Sequence, residues 1–282
     1  METIKDKVVV ITGATRGFGY AIAEAMLKAG ATVVISGRKP EALEKALNGL
    51  QAWGPVSGES CDVRDEAQVY ALARAAVARH GRMDIWVNNA GYSAAAGRVL
   101  EMDPAEALDM FKVNALGTLY GAQAAVRHGA KVLVNLYGAG SNGKASSPTG
   151  LYAASKAWVT SFTRTLAKEM AGTDLQILAF NPGMMLTDML TRPVVVGERG
   201  REMMKPYGFV LRFLARRPEQ SAEELVKVLS GLKKPFTEYR VLKPWTPFLG
   251  LLRVTWENIT HSGQTPAFEL QFKEPYRFGE ER

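Results

Sequence analysis

The chain has 282 residues, of which 47% are hydrophobic and 22% are charged, and its formal net charge is +7. These values are ordinary for a folded domain, and no apolar run approaches the ~18 residues that a membrane span requires. The positive excess lies in residues 192–282, where it is spread out without a basic helix or an aromatic platform, so we expect no nucleic-acid partner. The N-terminus shows no basic patch before an apolar segment, which makes a cytoplasmic location the default expectation.

Cysteine and histidine usage narrows the chemistry. Cys61 is the single cysteine, so an intrachain disulfide is excluded, and we expect this residue to be buried at a strand end. The three histidines are scattered without ligand spacing, and we expect no structural metal.

Strand and helix signals alternate along the chain. This pattern predicts an α/β fold, a Rossmann-type doubly wound parallel sheet of about seven strands with helices on both faces, in one domain of residues 1–282. Strands are predicted near residues 7–12, 32–36, 57–61, 84–88, 130–136, 174–180 and 238–243, and the clearest helices at 40–51, 65–80, 104–127, 152–171 and 219–231.

A glycine-rich turn follows the first predicted strand. It spans Gly13 to Gly19 with the spacing G-x-x-x-G-x-G and leads directly into a helical segment. Backbone N–H groups and the helix dipole at such a turn attract a diphosphate, and glycine lets it approach closely. We therefore predict a dinucleotide site that includes all of the turn's motif residues, namely Gly13, Thr15, Arg16, Gly17, Phe18 and Gly19.

The end of the second predicted strand bears on which dinucleotide binds. An NAD site needs a carboxylate there to accept hydrogen bonds from the adenosine ribose, whereas this chain has Ser36 and Arg38 and no acidic residue. Arg16 supplies a second cation, so a 2′-phosphate could be held from two sides. The pattern favours NADPH.

Three further polar motifs occur in order downstream. Asn88-Asn89-Ala90-Gly91 ends an apolar strand, Asn114 lies in a helical stretch, and Tyr152 is followed four residues later by Lys156. Residues four apart share one helix face, so the ammonium lies near the phenol and stabilises its anionic form. The pair therefore predicts a proton donor whose pKa is drawn towards the working pH.

Together these motifs resemble the short-chain dehydrogenase/reductase family over roughly residues 5 to 190, and the glycine spacing resembles its short, single-domain members. The resemblance implies hydride transfer from the nicotinamide to a carbonyl, with Tyr152 as general acid, Lys156 bound to the nicotinamide ribose, and Asn114 holding a water that relays protons. It also implies cofactor contacts by Tyr152, Lys156, Asp62, Val63, Asn89, Ala90, Gly91, Pro182, Gly183 and Thr187.

One family residue is missing. Most relatives carry two serines after the fifth strand, and the second of them hydrogen-bonds the substrate oxygen, whereas Gly138 stands at that position here. Ser141 is the nearest hydroxyl and is the fourth catalytic candidate, with a backbone N–H as the alternative donor. The stretch Asn135-x-x-Gly-Ala-Gly-Ser-x-Gly looks like the chlorophyll b reductase branch, which implies a large apolar carbonyl substrate, although another large aldehyde or ketone stays open.

Two segments depart from the alternating pattern. Residues 184–217, rich in Met, Pro and Gly, are interpreted as a mobile substrate lid, and residues 244–282 form a C-terminal extension with aromatic and leucine residues. Three interpretations of the extension stay open: core packing, an oligomer contact in a homodimer or homotetramer, or a wall of the substrate pocket. Core packing is favoured because Trp and Leu are usually buried. The missing serine also leaves open a catalytically silent NADPH-binding protein.

Overall fold

The computed structural model describes residues 4–243, 245–260 and 264–277. Seven parallel strands form one sheet in the order β3-β2-β1-β4-β6-β7-β9. The strands of this sheet are β1 (Val8–Ile11), β2 (Thr32–Gly37), β3 (Val56–Ser60), β4 (Ile85–Asn88), β6 (Val132–Leu136), β7 (Gln176–Asn181) and β9 (Phe236–Arg240). The predicted fold class is confirmed.

Helices cover both faces of this sheet because the strands are apolar on both sides. Within β1, Val9 packs on the side that also holds Ile22 of α1, whereas Val10 packs on the side that holds Leu72 of α3 and Trp86. The helices of the main layer are α1 (Gly17–Lys28), α2 (Pro40–Leu50), α3 (Glu66–His80), α4 (Pro104–Phe111), α5 (Gly117–Arg127), α6 (Gly150–Glu169) and α10 (Pro218–Ser230). Near-continuous apolar strands are what a doubly covered parallel sheet requires.

The single helix predicted over residues 104–127 is wrong in one respect. Lys112–Leu116 forms a π-helical turn that separates α4 from α5. Such turns widen a helix by one residue and are frequent at functional sites. The last strand also begins and ends earlier than predicted, at Phe236–Arg240.

A second, smaller sheet was not predicted. Its three parallel strands are β5 (Ala95–Ala96), β8 (Val194–Val196) and β10 (Gln271–Lys273), in the order β10-β8-β5. The helices around it are α7 (Asp188–Thr191), α8 (Gly197–Met203), α9 (Tyr207–Leu214) and α11 (Thr246–Ile259). Strands of two or three residues carry too little alternation to be recognised from sequence.

This small sheet joins the lid to the C-terminal extension. Glu269 N donates to Thr191 O at 2.7 Å and Gln271 N donates to Pro193 O at 3.0 Å, so the extension runs along the lid strand. The base of the lid is closed where Met185 pairs with Arg216. The predicted lid segment therefore contains its own strand and helices, and its mobility stays a prediction.

Helix α11 packs on the lid through one face only. Gly250 lies against Phe213 of α9, and Val254 is buried. Trp245 and Trp256, in contrast, are 60% and 68% exposed. The favoured interpretation, that these aromatic residues are buried in the core, is wrong. Only one side of α11 packs on α9, and the two tryptophans lie away from that side.

Cys61 is buried directly after β3, as expected, and burial raises its thiol pKa to about 12. Among the described residues, no helix is long and apolar enough to cross a bilayer.

Candidate active site

The candidate site lies at the carboxyl edge of the large sheet. The glycine turn follows β1, Asn89 to Gly91 follow β4, Gly138 and Ser141 follow β6, and Pro182 to Thr187 follow β7. In this strand order β1 and β4 are neighbours that lead to opposite halves of the sheet. A crevice at such a switch point is where doubly wound sheets bind ligands.

The glycine turn fits a diphosphate. Gly13 and Gly17 have φ values of +63° and +59°, a conformation that favours glycine. Helix α1 begins at Gly17 with no side-chain cap and no acidic residue in its first turn, so its first N–H groups are available to an anion. Phe18 is buried in the core, so its ring stays away from the ligand and only its backbone serves the site.

Asn89 and Thr12 brace this turn against β4. The Asn89 side chain donates to Thr12 O at 2.8 Å and to Gly13 O at 2.9 Å. The Thr12 hydroxyl in turn accepts from the N–H groups of Asn89 and Ala90 at 3.1 and 3.0 Å. These bonds hold the glycine turn in place against the end of β4. The sequence predicted Asn89 as a cofactor contact and did not reveal this positioning role.

The structure does not support Ser36 as a phosphate ligand. Its side chain is 0% exposed, and its hydroxyl has no hydrogen-bond partner among the described residues. Its carbonyl instead accepts from Ala14 N at 2.8 Å and so holds the glycine turn. Strand alternation places this side chain in the core, and only the exposed Arg38 remains at the strand end.

Gly37 explains why no carboxylate stands before Arg38. A Cβ at Gly37 would fall 3.2 Å from the Thr15 hydroxyl and closer still to its methyl group. Thr15 therefore fills the space into which a side chain at 37 would project. This packing keeps the strand end free of acidic groups.

Arg16 points towards the lid. Its guanidinium pairs with Asp188 at 2.9 Å, and both side chains are largely exposed. A cavity of about 370 Å³ lies beside this pair, lined by the glycine turn, by the start of α7 and by the first residues of α10. Exposed pairs are worth about 0–1 kcal/mol, so a phosphate can compete with Asp188 for this cation.

Asp62 is held by a neighbouring cation. Arg64 donates to both carboxylate oxygens of Asp62, and these hydrogen bonds lower the pKa of Asp62. Arg64 also pairs with Asp109. Val63 is buried against Gly117, so its side chain belongs to the core.

Asn114 lies in the π-helical turn and is fully buried. Its amide donates to Tyr92 O at 2.9 Å and to Ser155 Oγ at 3.0 Å, and its oxygen accepts from Tyr92 N at 3.0 Å. The side chain is therefore locked in one orientation beside the helix that carries Tyr152. Gly91 allows this approach, since a Cβ there would lie 3.0 Å from the Asn114 oxygen.

Tyr152 and Lys156 lie on the inward face of α6. Lys156 Nζ donates to Leu136 O at 3.0 Å and lies 5.8 Å from the centre of the Tyr152 ring. Burial raises the pKa of Tyr152 to about 12 and lowers the pKa of Lys156 to about 8. The shift of the phenol pKa is therefore opposite to the predicted direction, because desolvation disfavours the charged forms of both residues.

Gly138 faces the phenol directly. A Cβ at Gly138 would lie 2.5 Å from the Tyr152 hydroxyl oxygen and 3.2 Å from Lys156 Cγ. The Tyr152 hydroxyl thus occupies space that a serine side chain would need. Ser141 is buried and folds back, and its hydroxyl accepts from Gly138 N at 2.9 Å.

The loop after β7 contributes the last predicted residues. Gly183 adopts a φ of +79° and packs on Leu242, and Pro182 O accepts from Ser221 Oγ at 2.9 Å. Thr187 precedes α7 and lies against the glycine turn, 3.5 Å from where a Gly17 Cβ would be. The structure therefore places the loop after β7 beside the glycine turn.

Two residues of this site were missed from the sequence. Tyr92 fixes Asn114 through its backbone and donates its hydroxyl to Asp109 at 3.0 Å. Ser155 donates to Tyr152 O at 2.7 Å while it accepts from Asn114. Tyr92 directly follows Gly91 and Ser155 directly precedes Lys156. Their position next to these motif residues was the only indication in the sequence that they belong to the site.

A polar chain beneath the site was also missed. Trp86 donates to Asn88 Oδ1 at 2.7 Å, Asn88 donates to Asn135 Oδ1 at 2.9 Å, and Asn135 donates to Thr163 Oγ1 at 3.0 Å. It ties β4 to β6 and β6 to α6 inside the core. Buried polar groups that are fully paired fix one arrangement, so this chain sets the position of α6.

Comparisons with known proteins agree with this geometry. The chlorophyll(ide) b reductase NOL of Oryza sativa subsp. japonica is 35% identical over 199 residues, which cover 64% of this chain and 57% of that protein. The Arabidopsis thaliana protein of the same description is 32% identical over 244 residues, which cover 80% of this chain and 68% of that protein. The chain thus spans less than two thirds of the rice protein's length.

A solved structure shares the fold and a model of one family matches the sequence. The 3-ketoacyl-(acyl-carrier-protein) reductase from Brucella melitensis, complexed with NADH, superposes with a TM-score of 0.72 at 25% identity, covering 85% of this chain and 98% of that one. The short chain dehydrogenase family model matches residues 7–194. The chain, an oxidoreductase by this match, belongs to the short chain dehydrogenase family.

Proposed function

We propose that the chain is an NADPH-dependent reductase that converts an aldehyde or ketone to an alcohol. One observation carries this proposal: Lys156 Nζ lies 5.8 Å from the ring centre of Tyr152 on the inward face of α6, and Asn114 holds this helix through its hydrogen bond to Ser155. A module that only binds a nucleotide needs the glycine turn but not this proton path.

The proposed roles follow from the positions of the side chains. Tyr152 gives its proton to the carbonyl oxygen as negative charge develops there, and Lys156 stabilises the resulting phenolate. Asn114 and Ser155 hold α6 at the correct distance. The bound nicotinamide supplies the hydride that reaches the carbonyl carbon, so one hydride and one proton complete the alcohol.

The choice of NADPH rests on charge at the end of β2. Arg38 is exposed there, and Gly37 cannot carry a carboxylate without displacing Thr15. A 2′-phosphate needs a cation at this position, whereas the unphosphorylated ribose is best held by a carboxylate. Arg16 is a second cation within reach of the glycine turn, and Asp188 is its present partner.

The proposed substrate is a large apolar carbonyl compound, with the formyl group of a chlorophyll b-type tetrapyrrole as the leading candidate. Support comes from the two plant reductases, which match this chain at 35% and 32% identity. Met184 and Met185, half-buried at the start of the lid, can adapt to an irregular apolar surface. Small ketones, sugars and lipids are the alternative substrate classes.

The test follows loss of NADPH absorbance with chlorophyll b, its phytol-free analogue and a panel of small aldehydes, ketones and sugars. We expect conversion of the formyl absorption to that of the hydroxymethyl product. Tyr152→Phe should lower turnover by ~10² or more with cofactor affinity unchanged. Tyr70→Phe, on α3, where the ring lies against His128 and Arg127 and not at the candidate site, is the matched control and should keep full activity.

Each contrary result has a distinct meaning. Full activity of Tyr152→Phe would remove Tyr152 from the acid role. Rapid reduction of small carbonyl compounds without conversion of chlorophyll b would overturn the proposed substrate, but the reductase proposal would stand. Tight NADPH binding without any turnover would favour the alternative of a catalytically inactive NADPH-binding protein. That alternative rests on the glycine at position 138, where most relatives have a serine.

A further inference from the structure

The outward face of α11 is a continuous apolar stripe. Trp245, Phe248, Leu252, Trp256 and Ile259 recur at intervals of three or four residues, so they share one side of the helix. All five are more than half exposed, and Ile259 reaches 69%. The opposite side, with Gly250 and Val254, packs on the lid.

The stripe is too large and too regular to be ordinary surface. Phe209 of α9, stacked on Phe213, is also exposed and belongs to the helix on which α11 packs. Large contiguous apolar surface on a folded protein marks a site of association. Two tryptophans lie in the stripe: Trp245 directly precedes α11, and Trp256 lies in the last turn of the helix.

The charge around the stripe is one-sided. The two helices and their flanks, residues 205–217 and 241–260, contain six basic residues and one acidic residue in the sequence. That single carboxylate, Glu257, is already shared by Arg212 at 3.0 Å and Arg253 at 3.6 Å. Lys205 pairs with Glu202 at 3.7 Å, so among the described residues three of the six cations, Arg216, Arg217 and Lys243, have no carboxylate partner.

We propose that this face docks on the surface of an anionic lipid bilayer, with α11 lying in the plane of the interface. Apolar side chains would enter the acyl boundary, the indoles would lie at headgroup level, and the cations would meet lipid phosphates. A second copy of the chain fits less well, because a symmetric contact brings the same cations against one another. The inference does not depend on the reductase proposal, since docking needs neither cofactor nor substrate.

The experiment is flotation of the purified full chain with vesicles of phosphatidylcholine alone or of equal parts phosphatidylcholine and phosphatidylglycerol. We expect binding to the anionic vesicles, little binding to the neutral ones, and weaker binding as salt is raised. Trp256→Asp should lower binding at least tenfold, whereas Trp53→Asp, at an exposed tryptophan beside Lys28 on α1, should not. Thermal unfolding and cofactor binding establish that both variants are folded.

Sedimentation velocity of the same three proteins separates the alternatives. Under the proposal, Trp256→Asp leaves the oligomeric state unchanged. Absence of binding to anionic vesicles, or equal loss of binding in Trp53→Asp, would overturn the proposal. Dissociation of an oligomer by Trp256→Asp, without vesicle binding by the parent protein, would assign the face to a second copy instead. Leu252→Asp, one helical turn before Trp256, repeats the test if Trp256→Asp does not fold.

Discussion

Gly138 and Tyr152 show how one missing side chain changes a site. The phenol oxygen lies 2.5 Å from where a Cβ at Gly138 would be, so glycine is needed for the observed position of the proton donor. Ser141 does not replace the absent serine in space, because its hydroxyl is held by the Gly138 N–H. The Ser141 hydroxyl hydrogen is not used in that bond, so Ser141 stays a candidate donor to the substrate oxygen.

Gly138→Ala tests this arrangement. The backbone of Gly138 is outside the positive-φ region, so alanine adds only its methyl group. That methyl displaces the Tyr152 hydroxyl, and a displacement of about 1 Å lowers turnover by roughly 10²-fold. Gly231→Ala, where the nearest atom lies at 3.6 Å, is the control and should be silent in the same NADPH assay. Unchanged turnover of Gly138→Ala would mean that the phenol can act from another position.

The pH dependence of the reaction should report Lys156. Burial lowers the pKa of Lys156 to about 8 while the pKa of Tyr152 stays near 12, so the lysine is the first of the two to lose its proton as pH rises. Loss of this cation removes support for the phenolate, so kcat/KM should fall above pH ~8. In Lys156→Arg the residual activity should lose this alkaline limb, because guanidinium stays charged. A flat profile to pH ~10 in the parent protein would contradict this assignment.

At the scale of elements, the order of the main strands and helices was predictable and the small three-stranded sheet was not. Strand-to-turn motifs carry strong local signals, so the glycine turn, the Asn89 to Gly91 segment and the Tyr152 helix were all located by residue. Ser36 was misjudged because β2 is buried on both faces, so a polar side chain near the end of this strand still lies in the core. Strands β8 and β10 pair residues about 75 positions apart, a contact that no local pattern encodes.

Gln271→Pro should release the lid strand. Proline has no N–H, so the bond from residue 271 to Pro193 O is lost, whereas Gln271→Ala keeps it. We expect faster hydrogen exchange at Val194–Val196 in the proline variant only, with the seven-stranded sheet unchanged. Equal exchange in the two variants would show that β8 is held by β5 alone.

At the scale of the whole molecule, cofactor binding should raise the free energy of unfolding and therefore Tm. A ligand at a hundred times its Kd adds about 2.7 kcal/mol, which for a chain of this size raises Tm by on the order of 5–10 °C. We expect NADPH to raise Tm more than NADH at equal concentration. Arg38→Ala should remove the difference, and Arg74→Ala, at an exposed position on α3, should retain it. Equal shifts for both cofactors in the parent protein would contradict the NADPH preference.

Assembly and location stay predictions. The sequence favours a homodimer or homotetramer in the cytoplasm, and exposed apolar residues on α4 and α5, Leu108 and Val126, are available for subunit contacts. Sedimentation velocity, already required for the α11 variants, measures the oligomeric state directly.

The small sheet has a consequence for the order of folding during synthesis. Its three strands come from residues 95–96, 194–196 and 271–273, so its last strand cannot pair until residue 273 has left the ribosome. The glycine turn, Asn114 and the Tyr152 helix are complete some hundred residues earlier, and contacts between distant segments form late. A nascent chain would therefore contain the residues of the dinucleotide site before the last strand of the small sheet can pair.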